Sequence, residues 1–575
     1  MNTNILTFKI GGQAGQGQQV AGLIFTKACA RAGLYVFDHS EYPSRIRGGQ
    51  VIYQVSISET PVFGAYKTAN LLFALTEEIL TEHAQNLSPD ALIIYDSSAV
   101  KNVPAAAKSA KPIPLAELLA KNNLPKIAEN MIAIGVCAAA VGFDLKFFKT
   151  AIADIFKNKG ANVVAVNQKA AQVGFNYACE KLDIKKFPYK LKVKKSAPNR
   201  IVLTGNDAVS LGAVAAGCQL YVAYPMTPAT SVLHTLAAWS KKTGLIVKQP
   251  EDEISAIHML LGASWAGVRA FAGTSGGGFA LMNEGLSLAG ITEVSAVILM
   301  SQRAGPATGL PTWTEQGDLA YVCNAGHGEF LRVVLAPGDP TECFYLTAQA
   351  FNLAEIYQIP VIILLDKYLS SSNRSVENFD ETKIKIDRGE MLTDAQLAKM
   401  KNFKRYAITK SGISPRSVPG QKNGLYCCNS DEHDESGFSI EGFQPDMRNR
   451  QVEKRAAKLA NILRDLPKPQ MFGPAGAKLT LIGWGSVKAP VFEALKYLDG
   501  VNYLHVPAPY PLSEKIMAEV LKKVKKLVSI ENNYTSQFAN LLREQTGVKV
   551  DERLTKYNGS QFFVEEVVEL AKKLT

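Results

Sequence analysis

Two rhythms of apolar residues alternate along the chain. Short unbroken runs such as LTFKI (6–10), LLFALT (71–76) and ALIIYD (91–96) read as strands buried on both faces, as in a parallel sheet. Between them lie stretches with apolar residues every three or four positions, the spacing of helices packed on a sheet. The alternation restarts at RIVLTGNDAVSLGAVAAG (200–217) and passes through strand-like GCQLYVAYP (217–225), VRAFAGT (268–274) and SAVILMSQ (295–302) to IPVIILLDKYLS (359–370). It restarts again at KLTLIGWGSVKAPVFEALKYL (478–498) and includes KLVSIENN (526–533). The polar end of that run falls at a strand carboxyl terminus, where open α/β sheets bind ligands. The pattern predicts an α/β protein of three α/β domains, at 1–184, 200–375 and 476–575. A basic linker (185–199) and a polar, irregular covering arm (376–475) join them; the arm is too long for an ordinary loop.

Composition agrees and adds exclusions. A chain of 575 residues is too long for a single core. No apolar run approaches the ~18–20 residues that cross a bilayer; MIAIGVCAAAVGF (131–143) is the nearest. MNTNILTF lacks the basic start and long apolar core of a signal peptide, so no membrane association and a cytoplasmic location are expected. The net charge of +11 is partly local, since KKFPYKLKVKK (185–195) carries lysines and no acid. It reads as a solvated linker, or as a surface attracting an acidic partner. No nucleic-acid motif accompanies it, so nucleic-acid binding is not expected. The eight cysteines show no C-x-x-C spacing and read mostly as small buried apolar residues. Cys427-Cys428 beside SDEHDE (430–435) is a poor tetrahedral chelator in a solvated acidic loop, so no metal site is assigned to this chain.

The first run ends in a turn holding Gly11, Gly12, Gly15 and Gly17, with Asp38 following 21 residues after Gly17. This resembles a dinucleotide fingerprint, with Asp38 on a ribose. Against it, the third position holds β-branched Val20, and the Gly pair comes several residues beyond the strand. A tight structural or partner-facing turn is preferred; a Rossmann-type nucleotide-binding oxidoreductase stays as an alternative.

Four stretches in the middle segment carry more chemistry. In YPMTPATSVLHTLAAWS (224–240), Pro225 fixes the strand exit and removes a donor. Thr227 stands where a helix N-cap is wanted and Pro228 at the first helical position. A carboxylate suits such a helix start; a plain N-cap is the simpler reading. EDEISAIHMLLGASWAG (251–267) reads as a closely packed helix begun by Glu253, whose carboxyl is expected to lose water at that apolar edge. GTSGGGFALMNEG (273–285) is a strand–turn–helix whose glycines, including Gly276 and Gly277, let a ligand approach the backbone. SQRAGPATGLPTWTEQGDL (301–319) offers Arg303, a bidentate carboxylate binder.

In that order the motifs resemble one family across nearly the whole chain. GGQAGQGQQVAG and SRIRGGQ look like its γ domain. GNDAVSLGAVAAG, YPMTP, EDEISAI, TSGGGFALM, QRAGPATGLPT and EQGDL look like its thiamine-pyrimidine domain, and KRYAITKSGISPR, DEHDESG and IENNYTSQ like its arm and C-terminal domain. The chain resembles the α subunit of 2-oxoacid:ferredoxin oxidoreductases, with the γ domain fused at its N-terminus. The resemblance implies an N-terminal γ domain, a transketolase-like thiamine-pyrimidine-binding domain and a C-terminal transketolase-C-like domain. It implies oxidative decarboxylation of a 2-oxoacid with coenzyme A, giving acyl-CoA, CO2 and reduced ferredoxin. Glu253 matches the catalytic glutamate that meets N1′ of the thiamine diphosphate aminopyrimidine. Pro225, Gly276 and Gly277 match positions lining that cofactor, and Thr227 and Arg303 match positions facing the substrate. No Gly-Asp-Gly…Asn motif and no cluster of cysteines is found here. The resemblance puts the diphosphate, Mg2+ and a [4Fe–4S] cluster in a β subunit, within an (αβ)2 heterotetramer that passes electrons to ferredoxin. The γ–α fusion and the GISPR…EHDE arm favour 2-oxoglutarate over pyruvate or branched-chain 2-oxoacids. Met226, Ala229-Thr230 and Gly277 depart from the commoner Ile, Ser and Pro of the family. A non-catalytic assembly subunit is the reading from a third class.

Overall fold

The computed structural model describes residues 5–44, 48–194, 200–440 and 442–575. Among these residues the strands form three sheets. The first begins with β1 (Ile5–Gln13), β2 (Tyr35–Glu41), β3 (Gln50–Ser58), β4 (Ala69–Ala74), β5 (Leu87–Asp96) and β6 (Lys111–Ile113), in the order β6-β5-β4-β1-β3-β2. Strands β1, β4, β5 and β6 are parallel, whereas β3 runs antiparallel to both β1 and β2. Phe8 of β1, Phe25 and Phe148 stack in its core, with ring centroids 4.4 and 5.2 Å apart.

Strand β7 (Arg200–Leu203) opens the next segment of chain. The second sheet follows: β8 (Leu220–Val222), β9 (Ile246–Lys248), β10 (Ala270–Thr274), β11 (Ala296–Gln302), β12 (Val333–Leu335) and β13 (Pro360–Asp366). Its order is β12-β13-β11-β10-β8-β9, and every pair is parallel. β10, β11, β12 and β13 are buried along their whole length, which explains their unbroken apolar runs. β14 (Arg374–Glu377) then leaves this segment, pairing with β7 and with β2, so both join the first sheet. The third sheet has β15 (Gln470–Phe472), β16 (Leu479–Gly483), β17 (Val501–His505), β18 (Leu527–Glu531) and β19 (Glu552–Thr555), ordered β15-β17-β16-β18-β19 with only β15 antiparallel.

The described residues of the arm pack against the amino edge of the second sheet. Glu293, at the end of helix Asn283–Thr292, is 1% exposed and receives Lys454 and Lys458, both at 2.5 Å. Glu355, near the end of helix Pro340–Tyr357, is held by Arg269, Arg388 and Arg416. A buried carboxylate needs such partners, because burial alone disfavours its charge. Burial opposes ionisation of Glu293, yet Lys458, Lys454 and Arg405 keep its carboxyl well below the ordinary range. The EHDE acids serve the same arm: Glu432 binds Arg455 at 2.9 Å and Glu435 binds Lys404 at 3.1 Å.

Two expectations are qualified here. The basic stretch is largely exposed, as a solvated linker would be, but it does not hang free of the first domain. Phe187 is buried, Lys190 donates to the carbonyls of Ala140 and Ile184, and Lys194 donates to that of Glu59. The aliphatic stem of a lysine can cover apolar surface while its head finds carbonyls. Residues 195–199 of that stretch, 45–47 of SRIRGGQ, and 1–4 lie outside the described residues. Nor is the polar end of β18 open to a ligand. Glu531 accepts the Phe538 and Ala539 amides, and Asn532 and Asn533 bond Gln316. These residues dock the third sheet onto the loop after β11. No helix among the described residues is long and apolar enough to cross a membrane.

Candidate active site

β11, β10 and β8 are neighbours in the second sheet, so the loops leaving their carboxyl ends lie side by side, about one strand spacing apart. Those loops carry Arg303, the Ser275–Gly278 turn and the YPMTP stretch. Helix Glu253–Trp265, which leads into β10, starts at the same edge. Asp252 caps it, accepting the Ser255 amide at 2.8 Å. The cap fixes Glu253 in the first helical position, where its carboxylate also meets the positive end of the helix dipole.

Glu253 is 3% exposed. Thr274 Oγ1, at the end of β10, donates to its Oε1 at 3.4 Å and lies 4.0 Å from the Met226 sulfur. The YPMTP, EDEISAI and TSGGG motifs therefore converge on one carboxylate. Gly278 makes this possible: a Cβ there would stand 2.3 Å from Glu253 Oε1 and 2.1 Å from Thr274 Oγ1. A Cβ at Gly277 would meet nothing within 4 Å, so that part of the turn faces open space. Ser275 Oγ is buried with no hydrogen-bond partner. Pro225 sits half-buried at the exit of β8.

Thr227 and Arg303 come together differently from the expectation. The helix after β8 spans Thr230–Thr243 with Ala229 at its N-cap, so Thr227 is not the cap. Pro228 disfavours the helical conformation for the residue before it, and the Thr227–Pro228 peptide is cis. Thr227 instead offers its carbonyl, which Arg303 Nη1 meets at 2.9 Å.

Asp318, in EQGDL, belongs to this edge and was not among the residues singled out from the sequence. Its Oδ2 lies 3.0 Å from where a Cβ on Gly276 would be. Its amide donates to Gln302 Oε1. Burial raises the Asp318 carboxyl to about 6, against the pull of Arg303, and burial lowers Arg303 against the pull of Asp318. Glu315 in the same loop is raised by burial and by Asp318. An aspartate fifteen residues after a half-buried arginine in the same loop has no distinctive spacing, so only the resemblance motif could have marked it.

The opening glycine turn does not form a dinucleotide site. β3 lies between β1 and β2, so the strand that carries Asp38 is not the parallel neighbour of β1 that a Rossmann unit needs. Asp38 is 1% exposed and fully engaged. It accepts from Tyr53 OH (2.6 Å), Thr26 Oγ1 (2.9 Å) and the Asn373 amide (2.8 Å). It ties β2 to the chain just before β14, leaving no oxygen for a ribose. Among the described residues no group of three His, Cys, Asp or Glu side chains is placed to hold a metal.

Residues 211–452 match the model of the family described as "Pyruvate flavodoxin/ferredoxin oxidoreductase, thiamine diP-bdg", and residues 7–177 match that of "Pyruvate ferredoxin/flavodoxin oxidoreductase". The chain is 31% identical to 2-oxoacid:ferredoxin oxidoreductase 2, subunit alpha, of Aeropyrum pernix, over 98% of this chain and 97% of that one. It belongs to the 2-oxoacid:ferredoxin oxidoreductase alpha-subunit family. A 2-oxoglutarate synthase subunit KorA of Methanothermobacter thermautotrophicus is 30% identical over 65% of this alpha subunit and 98% of its own length. A solved 2-oxoglutarate:ferredoxin oxidoreductase from Magnetococcus marinus, with 2-oxoglutarate, coenzyme A and succinyl-CoA bound, superposes over all of both chains with TM-score 0.92 and 30% identity. The thiamine-diphosphate-binding match spans the carboxyl edge just described. The edge offers groups that suit the aminopyrimidine half of that cofactor: a buried carboxylate, an unpartnered buried hydroxyl and, at Gly277, a turn with open space in front of it.

Proposed function

We propose that this alpha subunit carries the aminopyrimidine half of a thiamine diphosphate site and oxidatively decarboxylates 2-oxoglutarate with coenzyme A. The products are succinyl-CoA, CO2 and reduced ferredoxin. The observation that carries the reading is Glu253, buried at the carboxyl edge and pressed against the Gly278 turn. When bound, thiamine diphosphate supplies a carbon nucleophile and an electron sink. Glu253 holds a proton against the ring nitrogen facing it, in a site dry enough for that proton to be shared rather than lost to water. Gly277 and Gly278 let the ring approach the backbone, and Pro225 shapes the wall beneath β8. Arg303, fixed by the Thr227 carbonyl, presents its remaining donors to the oxoacid carboxylate.

The diphosphate, Mg2+ and an iron–sulfur cluster are assigned to a beta subunit, and the working enzyme to an (αβ)2 assembly delivering electrons one at a time to ferredoxin. Choosing 2-oxoglutarate over pyruvate or branched-chain acids is supported by the names of the KorA relative and the Magnetococcus enzyme. The test is co-expression with the neighbouring beta-type reading frame and assay against a panel of 2-oxoacids. The reading expects coenzyme A-dependent ferredoxin reduction with kcat/KM highest for 2-oxoglutarate. A higher value for pyruvate overturns the substrate, and activity of the alpha subunit alone overturns the shared site.

A further inference from the structure

Three successive carbonyls of YPMTP are each taken by a different partner. That of Met226 accepts the Thr230 amide at 3.1 Å as the helix begins. That of Thr227 accepts Arg303 Nη1 at 2.9 Å. That of Pro228 accepts Asn206 Nδ2 at 2.8 Å. Asn206 comes from another element, the helix Gly205–Ala215 that follows β7. It is 0% exposed. Its amide nitrogen spends its other hydrogen on Ser231 Oγ at 2.7 Å, and its Oδ1 is buried with no hydrogen-bond partner. An idle buried acceptor carries a cost, so what this position uses is the pair of donors. An apolar or hydroxyl side chain could not supply both.

Asn206 stands on a fixed base. Thr204 and Asp207 close a capping box around the start of its helix, and Asp207 Oδ1 also accepts Thr235 Oγ1 at 3.2 Å. On the other side, a Cβ on Gly205 would stand 2.5 Å from the Leu369 carbonyl oxygen. The held carbonyl passes that rigidity on. Peptide units are planar, so only the two backbone dihedrals of Pro228 separate its carbonyl from that of Thr227. The proline ring locks φ at about −65°. One soft rotation, ψ of Pro228, is left between the carbonyl held by Asn206 and the carbonyl held by Arg303. We infer that Asn206 is a positioning residue for the oxoacid. By holding the Pro228 carbonyl it fixes that of Thr227, and so the direction in which Arg303 presents its free donors. The inference rests on Arg303 binding the oxoacid carboxylate, as proposed above.

Steady-state kinetics of the full alpha subunit, co-expressed with its beta partner, tests this. Asn206→Leu is close to asparagine in outline and donates nothing. The KM for 2-oxoglutarate should rise at least fivefold, while kcat and the KM for coenzyme A stay within about twofold. Adding Arg303→Lys should then raise the oxoacid KM no more than about twofold beyond the larger single effect, because residues that act through one contact are not additive. With Arg303→Lys alone raising that KM, three results overturn the inference and leave the Arg303 reading standing: effects that multiply, an equal rise in both KM values, or an oxoacid KM that Asn206→Leu does not move. An oxoacid KM unaltered by Arg303→Lys alone overturns that reading and the inference with it. Should Asn206→Leu not fold, Ser231→Ala, which frees one side of the Asn206 amide, is read instead. A rise of at least threefold in the oxoacid KM supports the inference, and an unchanged value overturns it.

Discussion

Gly278 has no side chain at the point where Glu253 needs the room: a Cβ there would lie 2.3 Å from the carboxylate oxygen. Gly278→Ala therefore displaces either the carboxylate or the turn. Overpacking of this kind costs about 1–3 kcal/mol, and a shift near 1 Å at a reacting group can cost ~100-fold in rate. We expect Tm to fall by a few degrees and kcat by about 100-fold. A kcat within a factor of three of wild type would show that Glu253 tolerates the displacement.

Arg303 meets the Thr227 carbonyl through one nitrogen, leaving the rest of its fork free. Arg303→Lys keeps the charge and loses the fork. The KM for the oxoacid should rise about tenfold with a smaller change in kcat. If steady-state kinetics show both parameters unaltered, Arg303 only shapes its loop.

Asp318 titrates near 6 because burial raises it, while Arg303 favours its charged form. Below that pH the carboxyl is neutral and Arg303 keeps its full attraction for an anionic substrate. Above it, ionised Asp318 opposes that attraction. The KM for 2-oxoglutarate should therefore rise several-fold between pH 5.5 and 7.5, and Asp318→Asn should flatten the profile. An unchanged pH profile in the variant would remove Asp318 from substrate binding.

Glu293 pairs with Lys454 and Lys458 out of water. Removing one partner of a buried ion pair costs about 3–5 kcal/mol, so Glu293→Gln should loosen the arm. Limited proteolysis should then cut within 376–475 at least tenfold faster. The wild-type carboxyl lies below its ordinary value, so its contribution is complete above pH ~4.5 and is lost as pH falls further. An arm whose protease resistance does not change on acidification would contradict this.

The elements that local pattern decides were legible in the sequence. β10, β11 and β13 fall where unbroken apolar runs predict them, and Glu253 opens its helix because Asp252 is a good cap. What long-range contacts decide was not. Nothing near Arg374 signals that β14 pairs with β7 and β2, far away in sequence. Asp38 reads as a ribose ligand until Tyr53, Thr26 and Asn373 are seen to occupy its oxygens. Lys190 is exposed, as the sequence suggests, but nothing in the sequence signals that the carbonyls of Ala140 and Ile184 hold its ammonium. Thr227 is not the cap because the helix begins later than Pro228 suggested, at Thr230, with Ala229 before it. Gly278 and Asp318 lie inside quoted motifs, yet only the folded turn shows that one clears space for Glu253 and the other stands beside Gly276.

The account rests most heavily on proton sharing by Glu253. The direct measurement is the exchange rate of the C2 proton of thiamine diphosphate in the assembled αβ enzyme, by quenched-flow deuterium labelling and NMR. General acid–base assistance is worth about 100- to 10,000-fold, so Glu253→Gln should slow exchange by at least 100-fold while the cofactor stays bound. Exchange at the wild-type rate in that variant would contradict the assignment.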